Sequence, residues 1–267
     1  MVGPRPKAID TTVAHPARRY NYWLGGKDNF AADRASGDAV EAAMPTIRLM
    51  AIENRRFLGR AARFLAQQGI HQFLDIGTGI PAPGNTHEVV QAVDPTSKIV
   101  YADNDPIVLS HARALLTSTT PGTVAYLEAD LRDPQAILKH ADLRSTLDLG
   151  EPVGLLLVAV LHFIRDDEDP RGIVRTLLDP LPSGSYLAAT HSTWEYTPPE
   201  AVARLSAANP DGRFAPRTGA EFAALFDGVE FVDPGLVSVA HWRADEESRP
   251  RPSVEDVSCN GFVARIP

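Results

Sequence analysis

The residues equipped for chemistry cluster in two short stretches, Phe73-Leu74-Asp75-Ile76-Gly77-Thr78-Gly79 and, further on, Val100-Tyr101-Ala102-Asp103. A carboxylate at a strand end can accept both hydroxyls of a ribose, and glycines in the preceding turn let a ligand press against bare backbone. Gly77-Thr78-Gly79-Ile80-Pro81-Ala82 also satisfies the G-x-G-x-x-G/A pattern of dinucleotide sites, which hold a pyrophosphate on the free N–H groups of a helix. Here Pro81 and Pro83 remove two of those donors. Gly84 then delays the helix to Asn85, where Asn85-Thr86-His87-Glu88 has the form of a capping box. A glutamate in the first turn is a poor neighbour for a diphosphate. S-adenosylmethionine (SAM), with a ribose, an adenine, a sulfonium cation and no phosphate, suits the residues better.

Other side chains fall into place around that reading. Asp103 is the ribose candidate, and Asp105 before Pro106 is placed to cap the next helix. Asp75 either orders the glycine loop or lies near the amino-acid part of the cofactor. Asp130 and Leu131 follow the third strand, where the acid can accept from the adenine amine while leucine packs on the ring; the competing reading pairs Asp130 with Arg132. His162 follows the fourth strand at the edge where an acceptor must lie, as a general base or as a packed core histidine, and His191 after the fifth is a weaker second candidate. No paired-cysteine or H-x-x-x-H spacing exists, so no metal is expected.

These residues need a framework, and the hydrophobic period supplies one. From Ala17 to Gly69 the pattern is helical, divided by Gly25, Gly26, Gly37 and Pro45 into two or three helices. It then changes to short apolar runs at 72–76, 98–102, 124–127, 154–160 and 186–189, with helical patterns at 85–93, 106–116, 134–147 and 171–178. Such alternation means a parallel sheet covered on both faces. Thr218-Gly-Ala-Glu221 is a second capping box, opening a helix through Phe226. The alternating runs 236–242 and 261–266 have no helix between them and predict an antiparallel hairpin at the sheet edge. The expected architecture is a flexible tail over 1–16, a helical cap over 17–69 and a Rossmann-like α/β domain over 70–267.

The motif from Asp75 to Glu88 resembles the first motif of class I SAM-dependent methyltransferases. More narrowly it is similar to an actinobacterial family of S-adenosyl methyltransferases, mostly recorded as a domain of unknown function. The same family's N-terminal signature reads Arg19-Tyr20-Asn21-Tyr22-Trp23-Leu24-Gly25-Gly26-Lys27-Asp28-Asn29-Phe30 here, and Tyr101-Ala-Asp103-Asn104-Asp105-Pro106 and Phe231-Val-Asp233-Pro-Gly235 match as well. The third glycine common in the wider superfamily is Pro81. The resemblance implies SAM as cofactor, contacts to it from Gly77, Thr78, Gly79, Asp103 and Asn104, and a lid over 19–30 that brings Arg19, Tyr20, Tyr22 and Asn29 close to it.

Composition narrows the partners. A formal charge of −8 argues against a general nucleic-acid binder. The arginines near the N-terminus (Arg18, Arg19, Arg48, Arg55, Arg56, Arg60, Arg63) read as a solvated helix face. The lone Cys259 excludes an internal disulfide, the apolar run 153–164 is too short to span a bilayer, and the first ten residues hold no secretory core, so a cytoplasmic protein is expected. The function expected is methyl transfer from SAM to a small molecule. A SAM-binding protein without turnover and, further off, an NAD-dependent oxidoreductase are the alternatives.

Overall fold

The computed structural model describes residues 9–115, 124–209 and 212–267. Three helices come first: α1 (Pro16–Trp23), α2 (Ala31–Ala43) and α3 (Ile47–Gln67). Strands and helices then alternate through β1 (Gln72–Ile76), α4 (Thr86–Gln91), β2 (Lys98–Asp103), α5 (Pro106–Leu115), β3 (Val124–Glu128), α6 (Pro134–Lys139), α7 (Ala141–Thr146), β4 (Gly154–Leu157), α8 (Pro170–Leu178) and β5 (Tyr186–Ser192). The chain closes with α9 (Pro199–Ala207), α10 (Gly219–Ala223), β6 (Glu230–Phe231), β7 (Val237–Ser238), α11 (Val254–Val257) and β8 (Cys259–Arg265).

The sheet runs β3-β2-β1-β4-β5-β8-β6, with β7 also paired to β8. Strands β1 to β5 are parallel, and β8 is antiparallel to β5, β6 and β7. Strand order reverses between β1 and β4, the place where open α/β sheets form a ligand crevice beyond their carboxyl ends. The expected α/β class and antiparallel ending are present.

Side chains alternate between two packed faces, as strand geometry requires. Leu74 and Ile76 join one core with Ile137, Leu143, Ile173 and Phe222. Phe73 joins the other with Phe57, Leu65, Ile99 and Trp242. Helix α3 thus belongs to the packing of the sheet, and of the expected 17–69 cap α1 and α2 are the parts that come before it.

Several element boundaries differ from the sequence pattern for local reasons. Strand β4 stops at Leu157 rather than Val160 because Ala159 adopts a left-handed φ of 55°. The expected helix over 134–147 divides at His140, whose extended backbone caps both α6 and α7. The 236–242 strand keeps only Val237 and Ser238; Arg60 then takes the carbonyls of Val239 and Trp242, and Trp242 turns inward against Phe57. Helix α9 and strand β6 had no clear signal. Residues 1–8 of the expected tail and Leu116 of the expected α5 lie outside the described residues. Residues 10 to 15 of that tail lie against the fold, where His15 donates its N–H to Asp33 and Arg18 reaches the carbonyl of Asp10.

Candidate functional site

A cavity of about 500 Å³ lies over the carboxyl ends of β1 to β5, within the usual size of a small-molecule site. Its walls include α1, α3, the glycine loop, the ends of all five parallel strands and the segment carrying Arg213 and Phe214. Of the residues singled out from the sequence, Arg19, Tyr20, Asp75, Gly77, Thr78, Gly79, Asp103, Asn104, Asp130, Leu131 and His162 line it. Tyr22 and Asn29 are not among its lining residues. The Tyr22 hydroxyl donates to Asp38 and its ring lies under Arg48, while Asn29 donates to Asn21 and to the carbonyl of Gly26.

The glycine loop is built by two different constraints. Gly77 has φ +76° and a side chain there would meet Val160 at 2.5 Å, so backbone conformation and space both demand glycine. Gly79 has φ +68° and open space where a Cβ would stand. That bare surface faces the cavity and is what a close-lying nucleoside needs.

Asp103 ties the loop to the second strand. One carboxylate oxygen accepts the N–H of Gly79 at 2.7 Å and the other that of Asp105 at 2.9 Å. Burial pushes its pKa up against these bonds. Each oxygen retains a lone pair, so the carboxylate can still accept ribose hydroxyls. Asp105 caps α5 through the N–H of Ile107, as expected. It also receives Arg18 at 2.9 and 3.2 Å and His15 at 3.0 Å.

At the opposite wall of the loop, Asp75 is buried and accepts the Thr86 hydroxyl at 2.6 Å. Burial is the main cause that pushes its pKa up to about 6, with the Arg55 charge working against it. Arg55 donates to the Ala82 carbonyl and to Asn85, and its buried Nε has no partner. Asp75 and Arg55 therefore offer an acceptor and a cation side by side, a set that matches an amino-acid group. Asp130 accepts from Asn104 at 3.0 Å and pairs with Arg132, the second of the two sequence readings, while it also lines the cavity. Leu131 packs in the core while reaching the cavity wall.

Helix α4 offers nothing to a phosphate. The Glu88 carboxylate already accepts the N–H groups of Gly84 and Asn85 at 2.8 and 3.2 Å. Its negative charge sits on the end where a pyrophosphate would bind.

Apolar side chains, Met50, Leu58, Val158, Trp194, Leu205 and Phe214 among them, also line the cavity. His162 lies at its edge, with ring centroids 4.4 Å from Phe163 and 5.0 Å from Phe214. Burial, then the charges of His191, Arg19 and Arg217, hold its pKa well below the ordinary histidine value. The ring is neutral, and its Nδ1 accepts a long 3.5 Å contact from the N–H of Ser192. That leaves the proton on Nε2. His191 is held differently: Nδ1 donates to the Ser192 carbonyl, Nε2 accepts from Arg217, and the residue does not line the cavity.

The N-terminal arginines require a correction. Arg18 is buried, and Arg19 and Arg55 line the cavity, so these three do not form a solvated face. Their interleaving with Tyr20, Asn54 and Leu58 looked like ordinary amphipathic patterning; the signal was arginine at positions that turn toward the sheet edge. Among the described residues no group of three or more His, Cys, Asp or Glu side chains could hold a metal, and no helix is long and apolar enough to cross a membrane.

Comparison with known proteins agrees with this geometry. No curated protein matches the sequence. The chain is similar to a DUF574 family protein from Streptomyces avermitilis, with 46% identity, a TM-score of 0.90 and coverage of 97% of this chain and all of that one. It is likewise similar to a candidate methyltransferase from Thermobifida fusca, at 38% identity, TM-score 0.89 and 99% coverage of both. The mitomycin 7-O-methyltransferase shares the fold at 20% identity and TM-score 0.50, over 79% of this chain and 54% of that chain. A family profile described as S-adenosyl methyltransferase matches residues 3–267, and the chain belongs to that family, whose cofactor is SAM.

Proposed function

We propose that the protein transfers a methyl group from SAM to a small, largely apolar acceptor. The observation that carries this reading is the mixed lining of one continuous cavity. Gly79, Asp103, Asp75 and Arg55 line it together with Trp194, Phe214 and Met50. The residues suit the cofactor: an open glycine surface, a strand-end carboxylate with spare lone pairs, and an acid–arginine pair for the amino-acid group.

SAM supplies an already activated methyl group, so the protein's task is alignment and exclusion of water. Alignment alone can lower a barrier by roughly 7–11 kcal/mol. Asp103 and the glycine loop fix the nucleoside end, Asp130 and Leu131 stand where an adenine would lie, and α1 covers the cavity. The aromatic wall orients a flat acceptor and keeps the chamber dry. None of this requires a charged base.

The test has two stages. Calorimetry with SAM and S-adenosylhomocysteine should show binding, and incubation with methyl-labelled SAM and host extract should yield a labelled small molecule. Cofactor binding with no labelled product across extracts would favour a SAM-binding protein without turnover. NADH binding in place of SAM would return the oxidoreductase.

A further inference from the structure

Three stretches far apart in sequence bring aromatic rings to the cavity: Phe163 after β4, Trp194 after β5, and Phe214 between α9 and α10. Sheet order sets where the first two stand. Gly77 to Gly79 follow β1, Asp103 ends β2 and Asp130 follows β3, whereas β4 and β5 lie on the other side of β1. The Phe214 ring joins the set, with centroids 5.9 Å from Phe163 and 6.1 Å from Trp194. All three rings stand on irregular backbone outside the strand pairing, so the sheet alone does not fix their spacing.

One buried side chain behind the wall ties these stretches together. Arg217 is 6% exposed and is not among the lining residues. One terminal nitrogen donates to the Ile164 carbonyl at 2.9 Å and to Asp166 at 2.5 Å. The other donates to the Leu161 carbonyl at 3.4 Å and to Nε2 of His191 at 3.1 Å. The backbone adds to the tie: the N–H of Arg217 donates to the Ser192 carbonyl at 3.4 Å, and that of Ala215 to the His162 carbonyl at 2.8 Å. Gly219 likewise donates its N–H to Glu195 at 2.7 Å. A guanidinium fork meets several acceptors at once, which a lysine ammonium on a flexible stem does not reproduce.

We propose that Arg217 is a positioning residue for the methyl acceptor, acting through Phe163, Trp194 and Phe214 without touching any ligand. It fixes the spacing of the rings against which a flat acceptor lies, and leaves the glycine loop and Asp103 to the cofactor. Methyl transfer depends on alignment, and a misplacement of about an ångström costs on the order of 10²-fold in rate. The exposed partner, Asp166, is the lesser part of the arrangement, because a solvent-facing ion pair contributes little. The main-chain carbonyls and His191 are the contacts that matter.

The inference rests on the methyltransferase reading, and its test has two arms, of which the first needs no acceptor. In Arg217→Ala, hydrogen exchange over 161–166 and 213–217 should quicken tenfold or more, while 72–79 and 98–105 stay within threefold of wild type. S-adenosylhomocysteine affinity, by calorimetry, should change less than threefold. Arg217→Lys carries the same measurements if the alanine variant does not fold. In the second arm, methyl-labelled SAM at saturation is incubated with limiting host extract. Labelling by Arg217→Ala should fall by about 10²-fold, and added ethylguanidinium, which refills the vacated space, should restore part of it. Asp166→Asn should stay within threefold of wild type. Full labelling by a folded Arg217→Ala, no rescue by ethylguanidinium, or a tenfold loss of S-adenosylhomocysteine affinity would overturn the proposal. A wild type that labels nothing would remove the methyltransferase reading instead, and equal exchange in both proteins would still overturn the tie through Arg217.

Discussion

Arg18 and Asp105 meet as a two-point ion pair across 87 residues of sequence, the guanidinium Nε at 2.9 Å and a terminal nitrogen at 3.2 Å from the two carboxylate oxygens. Burial works to raise the Asp105 pKa, but bonds from His15 and Arg18 outweigh it and hold the carboxyl well below its usual range. The pair therefore pins α1, which forms part of the cavity wall, to the strand end that carries Asp103. Removing one partner of a buried pair costs about 3–5 kcal/mol. Arg18→Met should lower unfolding stability by that order in urea titration, and Arg18→Lys should recover only part of it, since a point charge cannot make both contacts. A stability loss below about 1 kcal/mol in Arg18→Met would show that α1 is held by other means.

Asp103→Ala should weaken SAM binding roughly ten- to hundredfold, since hydrogen bonds to a charged acceptor contribute about 1.5–3 kcal/mol. The variant also frees the Gly79 N–H. Calorimetry on a folded variant is the check, and unchanged affinity would dismiss Asp103 as the ribose ligand.

The two loop glycines should separate stability from binding. Gly77→Ala places a methyl 2.5 Å from Val160 and strains a left-handed residue, so a melting curve should shift by the equivalent of ~1–3 kcal/mol. Adding Val160→Ala should recover the steric share. Gly79→Ala meets open space, so only the ~1–2 kcal/mol of left-handed strain applies to the fold. Its larger effect should fall on SAM affinity. Equal affinity loss from both substitutions, at equal stability, would mean that the open face of Gly79 is not the cofactor's.

Acid should destabilise the protein from pH 6.5 downward. Burial holds the His191 pKa at about 4 against the ordinary 6.5. Between those values the unfolded chain binds a proton that the folded chain does not, so stability falls as pH falls, by up to roughly 3 kcal/mol. His162 acts in the same direction. Asp75, raised to about 6, opposes them, because there the folded state binds the extra proton. Urea midpoints measured from pH 6.5 to 5 should decline, and His191→Gln should flatten the decline. An unchanged slope in that variant would assign the acid sensitivity elsewhere.

Much of this was legible in the residues. The run from Phe73 to Gly79 and the acid at 103 located part of the cavity wall, because strand termini and glycine turns are local features. Asp105 as a helix cap was legible for the same reason. Arg18, Arg55 and Phe214 were not, since their roles depend on contacts across tens of residues that no period reveals. Tyr22 and Asn29 show the converse: both stand in a motif beside cavity residues, yet helix geometry turns Tyr22 toward Asp38, and local hydrogen bonds hold Asn29 against Asn21 and Gly26. The tautomer of His162 depends on the N–H of Ser192, thirty residues on.

The placement of β8 has a consequence for how the protein is made. This strand, residues 259–265, is inserted between β5 and β6, pairing with β5 over seven residues. A ribosome-bound chain that has emerged only as far as α9 presents β5 as a bare edge, a template for pairing with other chains. Ser258 and Cys259, at the start of β8, are also part of the cavity wall. Synthesis therefore delivers the closing strand and the last piece of the binding chamber together, and nascent chains arrested before it should depend on chaperones while those released after it should not.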